Sequence, residues 1–172
     1  GYDRRIVIGN AANSTLSENS YDKVYGEAML TIQADHRKSE IIREAYRILK
    51  PGALYGIHEL GLTPDNLNEE TKSIIQRELA QTIKVNARPL TISEWSKLLE
   101  NEGFKIVKVE TNSMSLLELK RMIDDEGLLR TLKITFNIIV HPKERKRILA
   151  MRETFRKYKD SMNAVVIIAR KN

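Results

Sequence analysis

The chain has 172 residues, enough for one domain with its own core. Hydrophobic residues make up 41% and charged residues 30%, the balance of a soluble globular protein, and the absence of cysteine excludes disulfides, thiolate metal sites and cysteine nucleophiles. The net charge is +6, and the longest apolar runs, Phe136–Val140 and Ala164–Ala169, are too short to cross a bilayer. Asp3, Arg4 and Arg5 precede only a brief apolar run, unlike a signal peptide, and together with the missing cysteines this leads us to expect a cytoplasmic protein.

In chain order, Arg5–Ile8 reads as a short β-branched strand ending at Gly9, followed by a polar, turn-rich loop from Asn10 to Ser20. Tyr21–Tyr25 reads as a second strand. Asp35 is a candidate N-cap for a helix whose Ile41, Ile42, Ala45, Ile48 and Leu49 recur at helical spacing, and Lys50-Pro51-Gly52 is expected to stop it. Ala53–Ile57 reads as a strand ending at His58-Glu59. A helix is expected from Asn68 to Val85, then a second one opened by the capping-box pair Thr91 and Glu94, burying Trp95, Leu98 and Leu99 and ending at Gly103. Phe104–Val109 alternates as a strand. A mostly helical stretch runs from Ser115 to about Asp160, broken near Gly127 and at His141-Pro142; its apolar faces come from Ser115–Leu119, Leu128, Leu129, Leu132, Ile134, Ile138 and Ile139. Ala164–Ala169 is almost wholly apolar and reads as a central strand. Alternating strands and helices predict an α/β fold with a mostly parallel sheet covered on both faces.

The positive charge concentrates between Lys143 and Lys159, where Arg145, Lys146, Arg147, Arg152, Arg156 and Lys157 outnumber Glu144 and Glu153. This is a solvated helix face, or a surface for an anionic substrate or acidic lipid. Nucleic acid is disfavoured, because only Phe155 and Tyr158 interleave the charges. His36, His58 and His141 are scattered without ligand spacing, so no metal site is expected.

Several motifs, taken in order, resemble one family. Gly9-Asn-Ala-Ala-Asn13 followed by Asn19-Ser-Tyr-Asp-Lys-Val24 is similar to the third and fourth strands of class I S-adenosylmethionine (SAM)-dependent methyltransferases of the type 11 kind. Glu44 with Arg47-Ile-Leu-Lys-Pro-Gly52 resembles that family's Glu-x-x-Arg-Val-Leu-Lys-Pro-Gly-Gly, and Arg88-Pro-Leu-Thr91, Glu94-Trp95 and Glu102-Gly-Phe104 resemble its late helix and sixth strand. The resemblance covers most of residues 5–110, and Ala164–Lys171 fits the final, antiparallel strand. It implies a partial Rossmann-like methyltransferase sheet with a helical insertion before the last strand: a core over 1–110, an insertion or lid over 111–161, and a closing strand over 162–172.

The resemblance also implies a SAM cofactor and a small-molecule methyl acceptor. Ligands of doubly wound sheets sit beyond the carboxyl ends of the strands, and Asn10 falls there. The family has an acid at that position, accepting a hydrogen bond from the adenine amino group; Asn10 accepts through its side-chain carbonyl without a charge. Ala11 is small enough for an adenine ring to lie close. Gly26, Glu27 and Met29 follow the next strand and are placed beside the methionine half of the cofactor. His58 is a candidate general base for the acceptor, with Glu59 to orient it. Read as residues alone, Asn10 is equally a turn asparagine, Met29 a core side chain, and His58-Glu59 a pair hydrogen-bonded to local backbone. Glu44 and Arg47, three apart on one helix, form an ion pair most simply.

The family's opening strand, Gly-rich loop, helix and second strand have no counterpart in the chain, and no G-x-G-x-x-G occurs. The implied strand order leaves a gap between Arg5–Ile8 and Tyr21–Tyr25. We therefore expect part of a longer protein, inactive and a poor SAM binder by itself. Homodimerisation through the incomplete sheet is a further expectation. The alternative is a non-catalytic methyltransferase-like interaction module that self-associates.

Overall fold

A computed structural model describes residues 6–113, 127, 130 and 141–172. In chain order the described elements are β1 (Tyr21–Glu27), α1 (Asp35–Ile48), β2 (Leu49–Leu62), α2 (Glu69–Ile83), β3 (Leu90–Thr91), α3 (Ile92–Asn101), β4 (Phe104–Ser113), α4 (Pro142–Lys157) and β5 (Met162–Lys171). The sheet order is β1-β2-β5-β4, with β3 paired to the end of β2. β1 and β3 run parallel to β2, and β5 runs antiparallel to both β2 and β4, so four strands point one way and the closing strand the other. The expected α/β sheet with an antiparallel last strand is therefore present.

Local chemistry explains the helices that frame the site. The apolar stripe of α1 (Ile41, Ile42, Ala45, Ile48) packs with Trp95 and Leu99 of α3 onto Tyr55 and Ile57 of β2 and Val165, Ile167 and Ala169 of β5. α3 starts with a complete capping box: Thr91 accepts from the Glu94 amide while the Glu94 carboxylate accepts from the Thr91 amide. Asn68 caps α2, accepting from the Thr71 amide at 2.8 Å. A second apolar cluster joins Leu62, Ile75, Leu79, Ala87 and Met162 with Phe155 and Tyr158, seating α2 and α4 at the carboxyl end of β2. Lys157 pairs with Glu78 at 2.7 Å, and Arg147 donates to the Ile83 carbonyl at the end of α2.

Several expectations are corrected. Residues 6–8 form no strand; Ile6 and Ile8 are fully exposed, because a three- or four-residue apolar run has no strand to pair with there. Among the described residues β1 is consequently an edge strand. α1 and α3 cover the Tyr55–Ile57 face; on the opposite face α2 and α4 pack at the Leu62 and Met162 end, whereas among the described residues Tyr25 is 61% exposed and Leu54, His58, Val166 and Ile168 are half-buried. Asp35 is the first helical residue rather than the cap, which is Ala34; its carboxylate instead holds Lys38 and Arg88. α1 ends at Ile48, and β2 begins at Leu49, takes in Lys50-Pro51-Gly52 and continues through His58-Glu59 to Leu62. In the helical stretch, α4 begins at Pro142 as the break predicts, while Ser115–Leu119, Leu128, Leu129, Leu132, Ile134, Ile138 and Ile139 lie outside the described residues.

Candidate cofactor and acceptor site

The parallel pairing of β1 with β2 brings their carboxyl ends to one edge, with Gly26 opposite Ile57 and Glu27 opposite His58. The loop over residues 10–16 lies against this edge because α1 holds it. The Glu44 carboxylate accepts from the Ser14 amide at 2.9 Å and the Ser14 hydroxyl at 2.5 Å, and from Arg47 at 2.8 Å. Arg47 also donates to the Leu16 carbonyl at 2.6 Å. The Arg47 guanidinium and then the Ser14 donors pull the Glu44 pKa down to about 2. The expected Glu44–Arg47 pair is thus real, and its second task, anchoring the loop, was hidden by the 30 residues between Ser14 and Glu44.

Between loop and strand lies a cavity of about 160 Å³, lined by Ala11, Ser14, Tyr25, Gly26, Met29 and Glu44 among others. Three of the five residues assigned to the cofactor, Ala11, Gly26 and Met29, converge on it. A Cβ at Gly26 would lie 3.2 Å from the Met29 sulfur, so glycine keeps this wall open. Asn10 is exposed beside the cavity; its side-chain oxygen accepts from the Ala12 amide at 3.0 Å and from Arg37 at 2.6 Å, which uses both lone pairs.

Glu27 and His58 face each other across the two strands, His58 Nδ1 lying 3.3 Å from Glu27 Oε1. Glu59 does not join them. Neighbours on a strand point to opposite faces, and the Glu59 carboxylate is buried, accepting from the amides of Met29, Leu30 and Thr31 and from the Thr31 hydroxyl. The carboxylate against His58 is Glu27.

Two further groups shape this rim without having been singled out from the sequence. Lys38 is buried; its ammonium donates to Asp35 Oδ1 and to the Arg88 carbonyl, each at 3.0 Å, and lies 5.5 Å from the centre of the Trp95 ring. Burial pushes its pKa down. Thr31 binds on its other side to the Arg88 amide through its carbonyl at 2.7 Å, fixing residues 86–89 against the end of the 28–31 segment. The only signal for Lys38 in the sequence is its spacing of three from Asp35. No group of three or more His, Asp or Glu residues is arranged to hold a metal among the described residues, nor is any helix there long and apolar enough to cross a membrane.

No established family profile matches the chain. An uncharacterised protein of Haemophilus influenzae is 30% identical over 173 residues, covering 99% of this chain and 66% of that protein. A sterol 24-C-methyltransferase of Neurospora crassa is 31% identical over 105 residues, covering 59% of this chain and 26% of the enzyme. Among solved structures, geranyl diphosphate C-methyltransferase from Streptomyces coelicolor, in complex with S-adenosyl-L-homocysteine, matches 96% of this chain and 52% of that one with a TM-score of 0.65 at 12% identity. The [4+2]-cyclase SpnF matches 96% of this chain and 54% of its own with a TM-score of 0.62 at 18% identity. The chain thus spans just under two thirds of the Haemophilus relative and about half of each of these two structures.

Proposed function

We propose that this chain, which has the class I SAM-dependent methyltransferase fold, supplies the acceptor-side part of a methyltransferase domain acting on a small molecule. The observation that carries this reading is the convergence of Ala11, Gly26 and Met29 on one cavity at the carboxyl end of β1. The fit to SAM is partial. At about 160 Å³ the cavity is smaller than the roughly 300–1,000 Å³ of ordinary ligand clefts, so it takes a ring-sized portion of the cofactor rather than the whole. Ala11 forms a thin wall for an adenine-sized group, and Gly26 one for the methionine half. The Asn10 oxygen, already engaged twice, steadies the loop in our reading.

The rest of the cofactor site belongs to strands that would pair with the outer edge of β1, open among the described residues, within a longer polypeptide. The open edge, the exposed Tyr25 face and the greater length of the relatives support that view. The isolated 172-residue chain is accordingly inactive and binds SAM poorly.

SAM, when bound, supplies a methyl group activated on a sulfonium, so the protein's work is alignment and, where the acceptor needs it, proton removal. Segment 26–31 and the 10–16 loop align. His58 removes the proton through Nε2, with Nδ1–H donating to Glu27, which fixes the tautomer. A basic lid formed by Arg145, Lys146 and Arg147 suits an acidic acceptor. In the full-length polypeptide, S-adenosylhomocysteine should bind, and His58→Asn should lower methyl transfer by roughly 10²–10⁴-fold without weakening that binding. Tight binding of SAM by the isolated chain in calorimetric titration would count against the incomplete-site reading, and unchanged acceptor affinity after charge reversal at Arg145, Lys146 and Arg147 would count against the lid.

The rival reading is a non-catalytic interaction module that pairs with itself through the edge of β1. The exposed apolar Tyr25 on β1 itself favours it, as do the exposed Ile6 and Ile8 of the preceding segment. A concentration-dependent dimer in analytical ultracentrifugation, together with no SAM binding by the full-length polypeptide, would select it.

A further inference from the structure

Four donors converge on one buried carboxylate at the carboxyl end of β2. Glu59 is 3% exposed. Its Oε1 accepts from the Met29 amide at 3.0 Å and the Leu30 amide at 2.8 Å, and its Oε2 from the Thr31 amide at 3.0 Å and the Thr31 hydroxyl at 2.6 Å. The Thr31 hydroxyl oxygen accepts in turn from the Leu60 amide at 3.3 Å, and the His58 carbonyl accepts from the Ala28 amide at 2.9 Å. Three successive amides aimed at one anion form a nest, the concavity that proteins use to hold phosphates and other anions. Here the anion is the chain's own side chain. Ala28, at φ +51, turns the backbone from β1 into the nest, a conformation that a residue with a Cβ keeps only where its surroundings hold it.

This geometry removes Glu59 from the chemistry: its four lone-pair directions are taken, and it lies on the sheet face opposite His58. We infer that Glu59 is instead a positioning residue, which fixes residues 28–31 so that Gly26 and Met29 hold the wall of the cofactor-facing cavity. This rests on the methyltransferase reading above and adds to it the group that sets the shape of the site. A carboxylate is required because every partner is a donor. A glutamine of the same shape would turn an amide NH₂ toward two of them, and an apolar side chain would leave the buried N–H groups of Leu30 and Thr31 and the part-buried one of Met29 without an acceptor. Pairing of Gly26 with Ile57 and of Glu27 with His58 does not depend on the nest, so β1 stays in place when it is lost.

The test uses Glu59→Gln and Glu59→Asp in the full-length polypeptide, with two readouts. Amide hydrogen exchange at Met29, Leu30 and Thr31 should accelerate about tenfold or more in Glu59→Gln, while Leu99 and Ile167 in the core exchange as in the wild type. The KM for SAM should rise about tenfold with the acceptor KM unchanged, and Glu59→Asp should recover part of the loss. A residue serving only to hold the fold together would reduce the amount of active protein and leave both KM values alone. If Glu59→Gln does not fold, Thr31→Val, which deletes one of the four donors, carries the same readouts. Unchanged exchange at residues 29–31, or an unchanged SAM KM, overturns the inference. A wild type that neither binds SAM nor transfers methyl overturns the methyltransferase reading, and the cofactor role with it; the exchange measurement then separately shows whether Glu59 holds the segment.

Discussion

Replacing Glu44 by Gln should destabilise the protein by an amount that depends on pH in a calculable way. Glu44 is nearly buried at its side chain (9% exposed) and is held by Arg47 and by both donors of Ser14. Its pKa falls from 4.5 to about 2 on folding. At about 1.36 kcal/mol per unit, this shift corresponds to at most about 3.4 kcal/mol. Arg47 is 38% exposed, so solvent screening reduces the figure to about 1–2 kcal/mol. A depressed carboxylate contributes above its unfolded pKa, near 4.5, and the contribution fades as pH falls through the folded value near 2. Urea unfolding of wild type and Glu44→Gln at pH 7, 5 and 3 should therefore show a gap of about 1–2 kcal/mol at pH 7 and pH 5 that is distinctly smaller at pH 3. The other lowered carboxylates, Asp35, Glu78 and Glu94, are present in both proteins and cancel in the difference. A gap equal at pH 7 and pH 3 would refute the claim that ionised Glu44 anchors the 10–16 loop.

Gly26→Val should fill the cavity beside Met29, abolishing binding of S-adenosylhomocysteine by the full-length polypeptide while leaving far-ultraviolet circular dichroism unchanged. Thr91→Ala should cost about 1 kcal/mol by removing the cap of α3, read as a lower urea midpoint. Leu99→Ala, at a fully buried core position, should cost about 2–5 kcal/mol in the same assay. Lys171→Met should cost roughly 1–3 kcal/mol, because its ammonium is the shared partner of Asn19 Oδ1 and the carbonyls of Tyr46 and Leu49 near the end of α1.

What was legible in the sequence was local. Thr91 and Glu94 announce the start of α3 because a capping box needs only two side chains three residues apart. The stripe of α1 and the apolar run of β5 are periodicities within one element, and both lie where they were expected, with β5 inside the sheet. What was not legible depended on register and on long-range partners. Arg5–Ile8 has strand composition, yet pairing is decided by the neighbouring edge, and among the described residues β1 pairs only with β2. His58 and Glu59, adjacent in sequence, read as a pair; the pleat separates them, and parallel pairing sets Glu27 against His58 instead. The donors around Glu59 come from about 30 residues earlier in the chain, so no spacing rule reveals them. The resemblance places Asn10, Ala11, Gly26, Glu27 and Met29 near the cofactor; the fold brings Ala11, Gly26 and Met29 to one cavity, whose lining does not include Asn10 or Glu27.

Central to the proposal is that the cofactor rests between the 10–12 loop, beside its adenine, and residues 26–29, beside its methionine half. The most direct test is nuclear magnetic resonance of the full-length polypeptide, labelled at its methionine methyl groups and backbone amides and titrated with S-adenosylhomocysteine. We predict that the Met29 methyl and the Ala11 and Gly26 amides shift together along one saturation curve. Saturable binding that leaves those three signals unmoved would contradict the account.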